Sequence, residues 1–279
     1  MAKKVILITG ASSGIGMNAA IELAKQGHIV YGAARRLDKL NNLKEYGVIP
    51  VELDVTVKQQ CVDVVTKIIS EQHKIDVLYN NAGYGLYGAV EDIPIEDAKK
   101  QFDVNLFGLA QMTKLVLPYM REKNSGRIIN TSSVGGKITT PLAAWYHASK
   151  FAVEGFSDTL RMEVKPFNID IILIEPGLIK TDFYDITVKQ IKKYSITGAY
   201  KKLAQADVNT LSNVSKGGLM GGSDPSVITK AVSKAVNDKK PKTRYLTGRL
   251  AKFGVFTKRI LSDRIYDTMT LRQMANTKK

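Results

Sequence analysis

The sequence predicts one doubly wound α/β domain, a parallel sheet with helices on both faces. Three observations carry this. Short apolar runs alternate with longer amphipathic stretches through the first 180 residues; a glycine-rich turn follows the first run; no linker, internal repeat or low-complexity segment breaks the alternation. Strands alternating with helices pair in parallel through crossovers, and right-handed crossovers cover both faces of one sheet.

The elements follow in order. Residues 5–9, Val-Ile-Leu-Ile-Thr, have the composition of a buried strand. The glycine-rich turn spans residues 10–16. Residues 17–26 set Met17, Ala20, Ile21 and Ala24 at helical spacing, and Gly27 supplies the stop. Strands are expected at 28–33, 48–53 and 77–79; between the last two, Cys61, Val64, Val65, Ile68 and Ile69 mark one helix face. Next come a long helix over 96–120, a strand over 127–131, a helix over 145–164 and a strand over 170–174. After Pro176-Gly177 the pattern weakens. Residues 181–223 read as a helical insertion whose last part, Gly217-Gly218-Leu219-Met220-Gly221-Gly222, is expected to be mobile. Ser223-Asp224-Pro225 then opens a helix, with Asp224 as N-cap and Pro225 at the first helical position. A short strand is expected near 244–246. In the tail, Leu250, Phe253, Phe256, Ile260 and Leu261 can share one helical face among Arg249, Lys252, Lys258 and Arg259. That pattern suits an interfacial helix, a helix closing a site, or one packing on a partner subunit.

Composition narrows the function classes. No apolar run reaches the roughly 18 residues of a membrane helix. The run after Met1-Ala2-Lys3-Lys4 is too short for a secretory signal. A single cysteine, Cys61, rules out an internal disulfide and fits a reducing, cytoplasmic setting, with Cys61 as a core position. His28, His73 and His147 are scattered, so no metal site is expected. The net charge of +15 is lopsided: residues 1–180 hold 21 Lys and Arg against 19 Asp and Glu, residues 181–279 hold 20 against 7. A basic final third admits an anionic partner or a solvated surface that aids solubility. The solvated surface is the reading adopted, with peripheral membrane contact the lesser alternative and no nucleic acid expected.

The turn Thr9-Gly10-Ala11-Ser12-Ser13-Gly14-Ile15-Gly16 has the spacing G-x-x-x-G-x-G. Between a strand and a helix, glycines let the backbone approach a pyrophosphate, and the helix N-terminus offers unpaired N–H groups to it. No lysine follows Gly16, which argues against a nucleoside triphosphatase. The second strand ends Gly32-Ala33-Ala34-Arg35-Arg36, with Ala34 where an acid would bind the ribose of NAD. Arg35 and Arg36 instead suit the 2′-phosphate of NADP(H), unless they are merely solvated.

Tyr146 and Lys150 are four apart on a helix and so share a face. A free phenol, with a pKa of about 10, is a poor base at neutral pH. A neighbouring ammonium is expected to lower it and to make Tyr146 a general acid/base. Ser133 stands at a strand end, where doubly wound sheets bind ligands, placed to hold the reacting oxygen; Ser132 is expected to point elsewhere. Asn105 lies mid-helix, which its propensity disfavours. It is read either as a kink holding a water toward Lys150 or as an exposed helical residue.

These residues, with Asn80-Asn81-Ala82-Gly83 and Pro176-Gly177, resemble the short-chain dehydrogenase/reductase family over about residues 3–182. The resemblance implies a Rossmann-type sheet and hydride transfer between NADP(H) and an alcohol or carbonyl compound. It implies a tetrad of Asn105, Ser133, Tyr146 and Lys150, with Lys150 also on the nicotinamide ribose. It implies cofactor contacts from Gly10, Ser12, Ser13, Gly14, Ile15 and Gly16, and from Arg35 and Arg36. Asp54 and Val55 match adenine contacts; Asn81, Ala82 and Gly83 line the cofactor; Pro176, Gly177 and Thr181 match the nicotinamide end. A homodimer or homotetramer through the two long helices is implied as well. Ala33-Ala34-Arg35-Arg36 and the long tail are similar to a branch with hydroxysteroid and retinol dehydrogenases, which favours bulky apolar substrates. Residues 181–222 are then the substrate lid, with Phe183, Tyr184, Ile186, Ile191, Tyr194 and Leu203 as its apolar surface, or as ordinary helical core. Residues 246–279 are a basic extension of the same single domain. The rival to an enzyme is a catalytically silent NADP-binding sensor or scaffold.

Overall fold

A computed structural model describes residues 2–216 and 221–276. Seven strands form one sheet: β1 (Val5–Thr9), β2 (Ile29–Ala34), β3 (Val48–Glu52), β4 (Val77–Asn80), β5 (Gly126–Thr131), β6 (Ile169–Pro176) and β7 (Arg244–Thr247). Their order is β3-β2-β1-β4-β5-β6-β7, and every pair is parallel. The chain runs outward from β1 to β3, then returns to start the other half at β4. The C-terminal ends of β1 and β4 therefore border the switch point, where doubly wound sheets leave a crevice.

Eleven helices are described: α1 (Gly14–Lys25), α2 (Leu37–Asn41), α3 (Lys58–Gln72), α4 (Ile95–Phe102), α5 (Leu109–Glu122), α6 (Ala144–Val164), α7 (Phe183–Tyr194), α8 (Lys201–Lys216), α9 (Ser226–Asn237), α10 (Ala251–Ile260) and α11 (Asp263–Asn276). One sheet face is covered by α1 and α9, through Ala19, Ala20 and Leu23 and through Ile228, Val232 and Val236. The other is covered by α3, α5 and α6, through Val64 and Ile68, Met112 and Val116, and Leu160. Buried on both faces, the strands read as unbroken apolar runs. A third cluster lies off the sheet, where α7 and α8 pack Tyr184, Ile191, Ala204, Val208 and Leu211 onto Tyr87, Leu142 and Tyr146.

Three expectations change. The helix foreseen over 96–120 is broken: a π-helical segment, Asp103–Gly108, separates α4 from α5. Its cause is Asn105, described below. The helix foreseen from Pro225 begins at Ser226, with Pro225 as the cap residue, although Asp224 Oδ1 still accepts the Ser226 N–H at 2.8 Å. The first helix starts at Gly14 rather than residue 17, because the end of the glycine turn already winds as helix. Residues 217–220 of the glycine-rich stretch lie outside the described residues.

Candidate active site

The glycine turn is built by what presses on it. Gly10 has φ +68°, a left-handed conformation that costs glycine little. A Cβ on Gly16 would stand 2.4 Å from Asn81 Nδ2 and 2.5 Å from the Gly10 carbonyl, so α1 can seat against the turn only through a glycine. From the end of β4, Asn81 staples the turn: its Nδ2 donates to the carbonyls of Thr9 at 3.2 Å and Gly10 at 3.3 Å. Thr9 Oγ1 accepts the N–H groups of Asn81 and Ala82 at 3.0 and 3.1 Å. The first turn of α1, with no side chain capping it, faces a cleft of about 1070 Å³. Arg36 closes the other side; its guanidinium donates to Ser12 Oγ at 3.0 Å and Ser13 Oγ at 3.1 Å. This is an anion cradle of unpaired helix N–H groups and a guanidinium, suited to the phosphates of a dinucleotide.

All the residues expected in the site line this one cleft except Gly16 and Asn105. Gly16 stands behind the turn. Asn105, only 1% exposed, works from beneath: its Oδ1 accepts the Tyr84 N–H at 3.0 Å, and its Nδ2 donates to the Tyr84 carbonyl and Ser149 Oγ, both at 3.0 Å. An exposed Asn105 is thereby excluded. The extra backbone residue of the π segment lets it turn inward and hold the loop that follows Gly83. Asp54 Oδ1 is occupied by the N–H and hydroxyl of Thr56, at 2.9 and 2.7 Å.

At the centre of the cleft, Ser133, Tyr146 and Lys150 converge. Ser133 Oγ accepts the Gly135 N–H at 3.0 Å and donates to the Pro176 carbonyl at 3.4 Å. Ser132 also lines the cleft, and its buried hydroxyl finds no hydrogen-bond partner among the described residues. Lys150 Nζ donates to the Thr131 carbonyl at 2.9 Å and lies 6.0 Å from the centre of the Tyr146 ring. The electrostatics depart from expectation. Burial pushes the Tyr146 phenol up to about 12, and the Ser133 hydrogen bond offsets this only in part. Burial also pulls Lys150 down to about 8, against the opposing pull of Glu154. Desolvation dominates both groups, and the lowering of the phenol by the ammonium that the spacing suggested is not among the influences on Tyr146. His147 braces the same wall: its Nε2 accepts the Thr140 N–H and its Nδ1 donates to the Gly135 carbonyl, both at 2.9 Å. Behind Lys150, the buried pair Glu154 and Glu175 is held by Lys137 and Arg244, the last also meeting Asp158 at 2.6 Å.

Beyond Tyr146 the cleft turns apolar. Tyr87 and Phe183 stack about Tyr146, each ring centre 5.6 Å from it. Of the apolar lid residues, Phe183, Tyr184 and Ile186 face the cleft, whereas Ile191 and Leu203 pack as core and Tyr194 donates to Asp97 Oδ2 at 2.8 Å. The far wall comes from the tail, Phe253 on α10 and Tyr266, Met269 and Met274 on α11. Leu250, Phe253, Phe256 and Ile260 remain exposed. Sequence reasoning missed Tyr87, Asp207 and the α11 residues. Cys61 is a core residue, its thiol raised to about 11 by burial. Among the described residues, no cluster of His, Cys, Asp and Glu could hold a metal, and no helix is long and apolar enough to cross a membrane.

A strand–turn–helix anion cradle at the switch point, opening into a cleft with a buried Ser–Tyr–Lys group, is the architecture of a dinucleotide-dependent oxidoreductase. The chain belongs to the short-chain dehydrogenase/reductase family: the family model for short chain dehydrogenase matches residues 4–192. A 3-ketodihydrosphingosine reductase of Bacteroides thetaiotaomicron is 41% identical over 250 residues, 90% of each chain. A short-chain dehydrogenase from Streptomyces avermitilis superposes with a TM-score of 0.80 at 29% identity, covering 99% of this chain and 98% of its own. A serine dehydrogenase complexed with NADP+ does so at 0.76 and 27% identity, covering 88% and 95%. An NAD+-bound xylitol dehydrogenase scores 0.71 at 28% identity, covering 84% and 92%. The fold is thus a Rossmann-type sheet, and the chain is an oxidoreductase of this family.

Proposed function

We propose that this chain is an NADP(H)-dependent oxidoreductase acting between a secondary alcohol and a ketone, or on an aldehyde, with a bulky apolar substrate. The observation that carries the reading is the position of Tyr146: it stands where the anion-binding half of the cleft meets the apolar half. Arg35 and Arg36, with no acid at Ala34, favour the phosphorylated dinucleotide. The contacts foreseen at the turn, at Asp54, Val55, Asn81, Ala82 and Gly83, and at Pro176, Gly177 and Thr181 are part of this proposal. The bound cofactor supplies or accepts the hydride. Tyr146 gives its proton to the carbonyl oxygen in reduction and takes one from the hydroxyl in oxidation. Ser133 holds that oxygen, and Lys150 supplies positive charge beside the phenol. Asn105 positions the loop at Gly83–Tyr84 and, through Ser149, the helix carrying Tyr146.

The name of the Bacteroides relative, a reductase of a keto compound, makes carbonyl reduction the direction to test first and 3-ketodihydrosphingosine the first compound. In one domain spanning 1–279, residues 181–222 act as substrate lid, and the extension 246–279 forms the far wall of the site. Phe107 on the π segment and Phe151 and Met162 on α6, all exposed, suit a homodimer or homotetramer. The cytoplasm is the proposed location. The decisive experiment is NADPH oxidation against long-chain ketones and aldehydes, with Tyr146→Phe alongside. Turnover that Tyr146→Phe abolishes supports the reading. Turnover that survives it removes Tyr146 as the proton carrier, and NADPH binding without turnover favours a silent sensor.

A further inference from the structure

One group in the cleft has no place in the chemistry above. Asp207 lies on α8, 8% exposed, and its Oδ2 has no hydrogen-bond partner. It lines the same cleft as Tyr146. Leu211 and Thr210 of its own helix line that cleft with it, as do Tyr87, Tyr146 and Tyr184. Tyr87 feels its charge, and the Tyr87 ring centre is 5.6 Å from that of Tyr146. The carboxyl is therefore on the reacting side of the cleft.

A buried carboxyl without a partner is costly, and folded chains pair such groups or bind something with them. Among the described residues no cation acts on Asp207, and burial raises it to about 7. Unliganded, the carboxyl avoids the cost by holding its proton, and a cationic ligand would let it ionise with a partner. A hydroxyl group brings no such charge. An ammonium brings both the charge and the donors, and in a low-dielectric pocket the pair is a strong charge-assisted contact.

We propose that Asp207 is a specificity-determining residue that binds a cationic amine on the substrate, close to its reacting carbon. The substrate class is an apolar carbonyl or alcohol compound bearing a primary amine. This rests on the cleft being the substrate site, and it deepens that reading by adding a polar head to the apolar tail.

The test is a calorimetric titration of the full-length protein, with and without NADP, using dodecylamine and 1-dodecanol as probes below their aggregation limits. Hydrogen bonds to charged groups contribute about 1.5–3 kcal/mol, so the amine should bind about 10- to 150-fold more tightly than the alcohol. Asp207→Asn, nearly the same shape, should bring the two affinities together and leave the alcohol's unchanged. A thermal melt checks its fold, and Asp207→Ser is the second variant. Equal affinities in the wild type overturn the proposal, as does an amine preference that survives both substitutions. Because binding is read without turnover, the two readings fail separately. Amine binding through Asp207 with no NADPH-linked activity leaves the amine site and removes the proposed reaction. Reduction of plain ketones without amine preference does the reverse.

Discussion

Lys150 is tied to Thr131: its ammonium donates to the Thr131 carbonyl at 2.9 Å, across from the strand end that carries Ser133. The cation is fixed by the sheet, one helical turn beyond Tyr146, and its own proton is loosely held, with a value of about 8. On the proposed mechanism, Lys150 is charged below that value and assists proton donation by Tyr146, and above it the assistance is lost. Reduction should therefore fall on the alkaline side with a midpoint near 8 in kcat/KM. The Tyr146 phenol, at about 12, titrates outside the working range. Lys150→Arg stays charged, so its remaining activity should lack this limb. A limb unchanged in Lys150→Arg would assign it to another group.

Arg36 bridges Ser12 and Ser13 across the mouth of the anion cradle. Arg36→Glu replaces attraction for a 2′-phosphate by repulsion. The Kd for NADP should rise about 10- to 100-fold, the effect of one or two charge-assisted bonds, while the Kd for NAD changes little. Arg35→Asp should shift the preference in the same direction. Fluorescence titration of both dinucleotides gives the ratio, and an unmoved ratio in both variants would exclude arginine-based selection.

Arg244 supports two buried carboxylates, Glu154 and Glu175. Burial and the neighbouring Glu154 already raise the Glu175 carboxyl, while Lys137 and Arg244 hold it down. Arg244→Met leaves the pair under-compensated. A loss of about 2 kcal/mol is expected, less than for a fully buried partner because Arg244 is partly exposed and Lys137 remains. The sign with pH follows from linkage. A carboxyl raised in the folded state weakens that state as pH rises, so the drop in Tm should be larger at pH 8 than at pH 5. An equal drop at both values would place the effect in packing.

Asp207 moves from its ordinary value of 3.8 to about 7. Below pH 3.8 the folded and unfolded chains are both protonated there, and no penalty exists. Between 3.8 and 7 the unfolded chain gives up the proton and the folded chain keeps it, so stability falls across that window and levels off above it. The titratable neighbours Tyr87, Tyr146 and Tyr184 are all raised and stay neutral throughout. The penalty is on the order of 4 kcal/mol. Asp207→Asn should accordingly melt higher than the wild type at pH 8 and at nearly the same temperature near pH 4. A variant less stable at pH 8 would mean that the carboxylate has a stabilising partner.

The centre of the sheet was legible because strands such as Val5–Thr9 and Ile169–Pro176 are buried almost throughout and read as apolar runs; the edge strands β3 and β7 are part-exposed. The glycine turn was legible because few contexts need three small residues between a strand and a helix. Lys150 was placed correctly, yet its effect on Tyr146 was not, since spacing fixes proximity and says nothing of solvent. The π segment was hidden because the apolar period continues through it; only Asn105 betrayed it. Asp207 did leave a signal. Ala204, Val208, Leu211 and Val214 form the inward stripe of α8, and Asp207 interrupts that stripe. The wall supplied by α11 had no comparable mark, because that helix is weakly amphipathic and its contacts are set by the long path of the chain.

Phe253 belongs to the wall of the cleft and is also 63% exposed. Among the described residues the cleft has its floor at Tyr146 and is open at its Phe253 end. A molecule anchored near Tyr146 can let its remaining carbons run out past Phe253 into the surroundings. On the proposed function such a site would gauge the head of its substrate and leave the tail uncounted. Rates should climb with chain length while each added methylene still finds a wall, then stop changing once the chain clears the rim.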